Sequence, residues 1–440
     1  MAGGERGIRM YRSSKGAEAL VAAVLLSSCT VFDGLSARPD TPGGPPGDPP
    51  CVGGECPGDD GTRSPTPQDG VKDGTETDVD CGGSSGKTCA DGQGCKVGAD
   101  CTSSVCVNEV CKAPAGDDGV KNGDETDVDC GGANAPRCAV AKTCKVHADC
   151  ASDGCDYTGH CAETRSCTGH AGGDTCGPGE MDDPNRQHES CCREIALPSG
   201  ASLDKYTITA GRMRAFLERV NNNPREWIEA NKPAWWGDYP TSRLPTDLDG
   251  VVTELSHLET EGYSPAGCFI TNTGARTYYF PPDVNARIGD EPQRYAQEVY
   301  DSKALNCVRR VMAAALCAFD GKQLASRAEY LEAWGDKRYP WGDAEWTPDH
   351  VIHNYGYYWP APLAGHENEQ VYHIAAPGRR PLGNGPFGHS DLAGNLYAVL
   401  WVDSIVTGSF ERHAITQSNN PWTERHKYWA GGFRCSRAVR

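Results

Sequence analysis

Between Thr209 and Val220 the apolar residues Met213, Phe216, Leu217 and Val220 recur at the spacing of one helical face. Thr209 stands where an N-cap belongs. A second run, Leu305 to Phe319, carries Val308, Val311, Met312 and Ala315 at the same spacing, and Gly321 follows to end it. Ser326 with Glu329 three residues on reads as a capping box that opens a third helix. Beyond it the pattern loses its period. Trp341-Gly342, Gly383 to Gly388 and Gly431-Gly432 cut the chain into short strands and loops. All 10 Trp fall between Trp227 and Trp429, so the aromatic core belongs to this part, taken as one domain over 165–440.

Upstream of Arg165 the patterning is of another kind. Arg6, Arg9, Arg12 and Lys15 precede a short apolar run, Ala19 to Leu26, which suits the core of a signal peptide over 1–28 and is too short for a membrane span. Leu26-Ser27-Ser28-Cys29 resembles a lipobox, the signal in which the cysteine is acylated and becomes the mature N-terminus. Two or more acyl chains on Cys29 anchor a protein stably where one does not. The other reading is an ordinary signal peptide in which Cys29 is incidental. No later segment is apolar for 18 residues or more. Residues 29–69 are Pro, Gly and Asp with few large apolar side chains, which predicts a flexible tether, with Cys51 and Cys56 placed to close a small loop.

An internal repeat follows, over 70–111 and 119–161. The first copy has Cys at 81, 89, 95, 101, 106 and 111, and the second at 130, 138, 144, 150, 155 and 161. Six cysteines per copy allow three disulfides in 15 connectivities, and the sequence does not choose among them. Units this small cannot bury a sizeable core, so crosslinks must take its place. Each copy opens on a carboxylate run: Asp69, Asp73, Glu76, Asp78 and Asp80, then Asp118, Asp124, Glu125, Asp127 and Asp129. Alternating Asp with nearby Gly can offer hard oxygen ligands to calcium, and it is equally the composition of tight turns. Zinc is disfavoured, because oxidised cysteine cannot ligate it and His147 and His160 do not recur between copies. The units resemble Cys-rich repeats of myxobacterial surface lipoproteins, which implies a spacer or adhesion role.

Composition narrows the field. Of 23 Cys, 19 lie between Cys29 and Cys192, a density that reads as a disulfide framework in an exported protein. The net charge of −18 argues against a nucleic-acid partner, which needs a basic face.

Five segments in the last part of the chain resemble one family in its order. Leu203 to Thr209 resembles its "DKYEVT" opening. Asn306-Cys307-Val308, Cys317 and Gly321 to Tyr330 resemble "NCV…YC…GKRLPTEAEW". Tyr339-Pro340-Trp341-Gly342 matches "YPWG". Phe387 to Leu396 resembles "FGLYDMAGNV", and Gly432-Phe433-Arg434-Cys435 matches "GFRC". The chain over 165–440 is on these motifs similar to the formylglycine-generating enzymes, the sulfatase-modifying-factor family. Ser166-Cys167 to Cys191-Cys192 also looks like the leading segment of the myxobacterial branch.

The resemblance implies an α+β fold related to C-type lectins, with little regular secondary structure, preceded by the small disulfide-rich repeats. It implies a Cys317–Cys435 crosslink and leaves Cys268 with Cys307 as the other pair. It also implies calcium ligands at Asp391, Gly394 and Asn395, with Asn354 at a second calcium site.

The family's chemistry uses copper(I) held by two thiolates, the soft ligands that suit this ion. Here the strand before them survives as Thr407-Gly408-Ser409-Phe410, but the two cysteine positions fall on Arg412 and Gln417. Neither binds copper(I) as a thiolate, and a fixed cation at Arg412 repels it. The acidic residue of "GNVWEW" is Ala398 here, flanked by Tyr397 and Val399.

The first reading is therefore an exported, lipid-anchored envelope protein, held at the outer membrane, whose last domain is non-catalytic and binds a protein or glycan or serves as structure. The alternative is an oxidoreductase of the family acting on a protein cysteine. A metal set of His353, His366 and His373 with Glu367 or Glu369 is weaker, since histidines in a loop-rich stretch are more often surface residues. Tyr355, Tyr357, Tyr358 and Trp359 with Trp341 and Trp346 form a possible sugar-stacking surface, though such clusters are more often packing.

Overall fold

The computed structural model describes residues 69–255, 277–288, 293, 295–352, 374–400, 404–406, 418–420 and 431–438. The signal peptide, Cys29, the tether, Cys268, Asn354, the three histidines, Tyr355 to Trp359, Thr407 to Phe410, Arg412 and Gln417 lie outside the described residues.

Both repeats have one disulfide pattern, first to second, third to fifth and fourth to sixth. The bonds are Cys81–Cys89, Cys95–Cys106 and Cys101–Cys111, then Cys130–Cys138, Cys144–Cys155 and Cys150–Cys161. The buried sulfurs are the core of each unit. Loops of 8 to 11 residues are closed this way, and each closure removes about 2–3 kcal/mol of unfolded-state entropy. The Asp-Cys-Gly-Gly segment needs its first glycine. At Gly82 and Gly131 a Cβ would stand 1.9 Å from the Oγ1 of Thr77 and of Thr126, with φ at +77° and +79°.

Repeat 1 adds a short ribbon, β1 (Cys106–Val107) against β2 (Val110–Cys111). Repeat 2 touches its neighbours on both sides. Asn122 Nδ2 donates to Ser103 O at 2.8 Å in repeat 1, and Arg219 Nη2 lies 3.0 Å from Asp153 Oδ2. Cys167–Cys192 and Cys176–Cys191 then close the segment that leads into the last part of the chain.

That part is mixed helix and sheet with modest regular structure. Its elements run β3 (Glu194–Ala196), β4 (Ser202–Asp204), α1 (Ala210–Arg219), α2 (Pro224–Asn231), α3 (Leu248–Leu255), α4 (Pro282–Ile288), α5 (Gln297–Ser302), α6 (Arg310–Phe319), β5 (Gln323–Leu324), α7 (Arg327–Trp334), β6 (Tyr397–Val399), β7 (Ser404–Val406), β8 (Ser418–Asn420), β9 (Gly431–Phe433) and β10 (Cys435–Arg437). One sheet is ordered β3-β4-β10-β5, all antiparallel, and the other β8-β7-β6-β9, with β6 and β9 parallel. Only Arg434 separates β9 from β10, so the last strand segment is a member of both sheets. Among the described residues no helix is long and apolar enough to cross a membrane.

The first helix forms as its pattern indicates. Thr209 Oγ1 accepts the Arg212 N–H at 3.2 Å, and Met213, Phe216, Leu217 and Val220 are buried. The capping box also forms, with Ser326 N to Glu329 Oε2 at 2.7 Å and Glu329 N to Ser326 Oγ at 3.3 Å. The second helix is shorter than its apolar pattern, starting at Arg310 rather than Leu305. Asn306 Oδ1 accepts the N–H and hydroxyl of Thr277 at 3.0 Å each, and Cys307 sits at φ +68°, a left-handed conformation that no helix continues through. Every residue of α6 is buried, and it lies at the centre of the larger apolar cluster with Phe216, Trp236, Leu255 and Phe433. Cys317 of α6 is bonded to Cys435 of β10, with the Cα atoms 5.4 Å apart.

Beneath the first sheet lies a buried ionic cluster. Arg212 donates to Asp204 Oδ2 at 3.0 Å and to Asp320 Oδ2 at 2.8 Å, and the three side chains are fully buried or nearly so. Two further N–H groups reach Ser166 Oγ and Cys191 O. Lys322, also buried, pairs with Asp204 and with Glu194 at 2.8 Å. Removing one member strands buried charge, so Asp204→Ala is expected to lower unfolding free energy by about 3–5 kcal/mol. Lys142→Ala, which breaks an exposed 3.3 Å pair with Asp127, is expected to cost less than about 1 kcal/mol. Guanidinium unfolding under non-reducing conditions compares the two, and equal losses would remove the cluster from its structural role.

Candidate functional site

Of the residues singled out for calcium in the last domain, Asp391, Gly394 and Asn395 fall together in one turn. Asp391 and Asn395 are left-handed at φ +50° and +57°. Gly394 lets the turn meet its neighbour, because a Cβ there would stand 2.0 Å from Val351 Cγ2. Asn395 spends its amide on Ala375, accepting the backbone N–H through Oδ1 and donating to the carbonyl through Nδ2, each at 3.1 Å. Asp391 Oδ2 accepts the Gly378 N–H at 2.7 Å.

Burial raises the Asp391 pKa, opposed by the Gly378 N–H and by the guanidiniums of Arg434, Arg379 and Arg380. Three cations around one carboxyl whose neighbours are backbone-bound do not fit a calcium ion, which needs converging anionic oxygens. The turn is a clasp that joins 374–378 to 389–395.

Arg434 is the other half of the clasp. It is buried, and its guanidinium donates to the carbonyls of Asp204, Lys205 and Ser390. Asp391, Arg434, Tyr330 and Thr207 line a cavity of about 10 Å³, room for a single water. His389, two residues before Asp391, is fully buried, and neither ring nitrogen has a well-formed partner. The motif holds Leu where His389 stands, and that polar replacement was the one signal in the sequence.

Among the described residues no dithiolate is placed to hold copper(I). Eighteen cysteines close nine disulfides among the described residues. Cys307 is buried in the segment before α6, and its expected partner Cys268 is not among them. Ala398 in β6 is buried and brings no carboxylate.

An open groove lies elsewhere, between repeat 2 and the leading segment. It measures about 350 Å³ and is lined by Asp156, Tyr157, His160, Glu163 and Asp174 among others. Tyr157 is half exposed, its ring 4.4 Å from that of His170. Its hydroxyl donates to Asp174, which with burial pushes the Tyr157 pKa up to about 12. Nothing in the residue pattern marked this groove, since it exists only where two segments meet. Trp341 stacks on Tyr339 at 4.9 Å and 5°, and its indole N–H donates to Ala344 O, which is packing within its own loop.

No family model matches the chain, and no curated protein does. Among solved structures 22 chains match. One is the structure of PvdO from Pseudomonas aeruginosa, 15% identical, covering 60% of this chain and 90% of that one with a TM-score of 0.31, an overlap too loose to establish a shared fold.

His389 gives this region a pH signature. Desolvation, and after it the Arg434 charge, depress its pKa to about 3 from 6.5, against a small opposing effect of the Leu203 backbone. Above pH 6.5 the ring is neutral folded or unfolded. Between 6.5 and 3 only the unfolded chain takes the proton, so stability falls as pH falls, by up to about 1.4 kcal/mol per pH unit. Thermal melting from pH 7 to 4 is expected to drop less in His389→Leu than in the wild type. Parallel curves would show that the ring is hydrated in the folded chain.

Proposed function

We propose that the chain is an exported, lipid-anchored envelope protein whose last domain, related to the formylglycine-generating enzymes, binds or supports rather than catalyses. The observation that carries this reading is the oxidation of its cysteines. Among the described residues nine disulfides take up eighteen of them, and by the family resemblance Arg412 and Gln417 stand where the two copper thiolates belong. Copper(I) oxidation needs soft reduced sulfur, and a disulfide offers none.

The Cys-rich units are the spacer in this reading, and Cys29 is the anchor. A ligand has a place to sit in the groove around Tyr157, where an exposed ring stands among carboxylates. Such a surface suits a polar or cationic group of a protein or glycan.

The oxidoreductase alternative makes the opposite demand, a reactive thiol pair. Alkylation and mass spectrometry of the oxidised chain from 165 to 440 are expected to find no reactive thiol, and copper with a cysteine peptide to yield no aldehyde. Two reproducibly alkylated thiols with conversion of the peptide would overturn the proposal.

A further inference from the structure

The opening loops of the two repeats treat their carboxylates unequally. Most are answered by backbone N–H groups. Asp100 accepts from Gly83 at 2.9 Å, Lys96 at 2.8 Å and Val97 at 3.0 Å, and these bonds, Lys96 first, hold it below the usual carboxylate range. Asp149 repeats the arrangement with Gly132, Lys145 and Val146. Asp78 and Asp127 are tied to Gly94 and to Thr143. Asp80 Oδ1 closes its loop on Gly70 N at 2.9 Å, and Asp129 Oδ1 on Gly119 N at 2.8 Å.

Glu76 and Glu125 break the pattern. They are 5% and 6% exposed, close to Asp100 and Asp149 at 5% and 4%. One oxygen of each is engaged, Glu76 Oε2 by the N–H of Asp73 and Asp80, and Glu125 Oε2 by that of Asn122 at 3.2 Å. The other oxygen, Oε1, is buried with no hydrogen-bond partner in both copies. So is Oδ1 of Asp73, and so is Oδ1 of Asn122 at the equivalent position. No hydrogen bond joins the two orphans of a loop.

A buried unanswered acceptor costs about 1–3 kcal/mol, more when charged. A fold that meets its other carboxylates with amides, yet leaves the same two oxygens open in two separate loops, has something else to meet them. Asp73 against Asn122 narrows what that is. The change removes a charge and a possible proton but keeps Oδ1, the atom a hard cation binds. Thiolates are excluded because the cysteines of both units are oxidised, which disfavours zinc and copper.

We propose that each Cys-rich repeat binds one calcium ion in its opening loop, through Asp73 Oδ1 and Glu76 Oε1 in the first and Asn122 Oδ1 and Glu125 Oε1 in the second. Loop carbonyls and water complete the shell of six to eight oxygens that calcium takes. Such ions tie the loop to the disulfide core and stiffen the two units.

Equilibrium dialysis of radioactive calcium against the whole oxidised chain, stripped with chelator, tests this. Two equivalents are expected to be lost on going from the wild type to the double variant Glu76→Gln, Glu125→Gln, and one in each single variant. Gln keeps an oxygen for the amides of Asp73 and Asp80 but puts a donor where Oε1 was. Peptide mapping of the disulfides verifies folding. If a Gln variant misfolds, Asp73→Ala with Asn122→Ala removes the other orphan and is expected to lose the same two equivalents. Unchanged stoichiometry in the folded variants, or no binding by the wild type at millimolar calcium, would overturn the proposal and leave buried water at these oxygens.

Discussion

The buried pairing of Arg212 with Asp204 and Asp320 is the constraint on which the last domain depends. Arg212 comes from α1, Asp204 from the end of β4, Asp320 from the turn after α6, and Ser166 from the leading segment. No apolar contact specifies position so narrowly, because a guanidinium that makes four directed hydrogen bonds admits one arrangement of its partners. Lys322 extends the cluster to Glu194 on β3, and Arg437 of β10 reaches the same carboxylate at 3.0 Å. The price of burying these charges is met only when all are in place, so the helix, the sheet and the leading segment form together or not at all.

Around that cluster the chain uses two routes to a stable core. In the last domain every residue of α6 is buried, and Leu324, Phe433 and Cys435 of the short strands join its apolar cluster. In the repeats no apolar core exists, and sulfur is the buried material. Cys317–Cys435 joins the two strategies by locking the central helix to the strand that follows Arg434. The terminal segment then serves both sheets at once, so a loss at Arg434 would be felt in each.

What the sequence made legible follows from range. Local signals were readable: the Thr209 cap, the Ser326–Glu329 box and the equal spacing of the two sets of six cysteines. The overextended second helix shows the limit. Its apolar period runs through Leu305, but Asn306 turns to Thr277 and Cys307 adopts a left-handed backbone, neither of which periodicity records. The disulfide partners were open among 15 choices because they depend on how the loops fold. Asp391 and Asn395 were picked out by the resemblance as calcium ligands, but their partners, Gly378 and Ala375, lie 13 and 20 residues away, where no local pattern reveals them. The groove at Tyr157 was invisible for the same reason.

The same separation between residue type and use governs the carboxylates. Read as composition, the acidic runs of the repeats suit turns and cation loops equally. The structure divides them by what answers each oxygen. Asp78, Asp100 and their counterparts in the second copy do the work of turns, each accepting N–H groups that would otherwise be unmet. Glu76 and Glu125 do that work with one oxygen only. In units held by sulfur, with little apolar mass to compensate, an unanswered buried charge is a large fraction of the whole stability. Duplicate loops that keep it are therefore built around something that the chain itself does not supply.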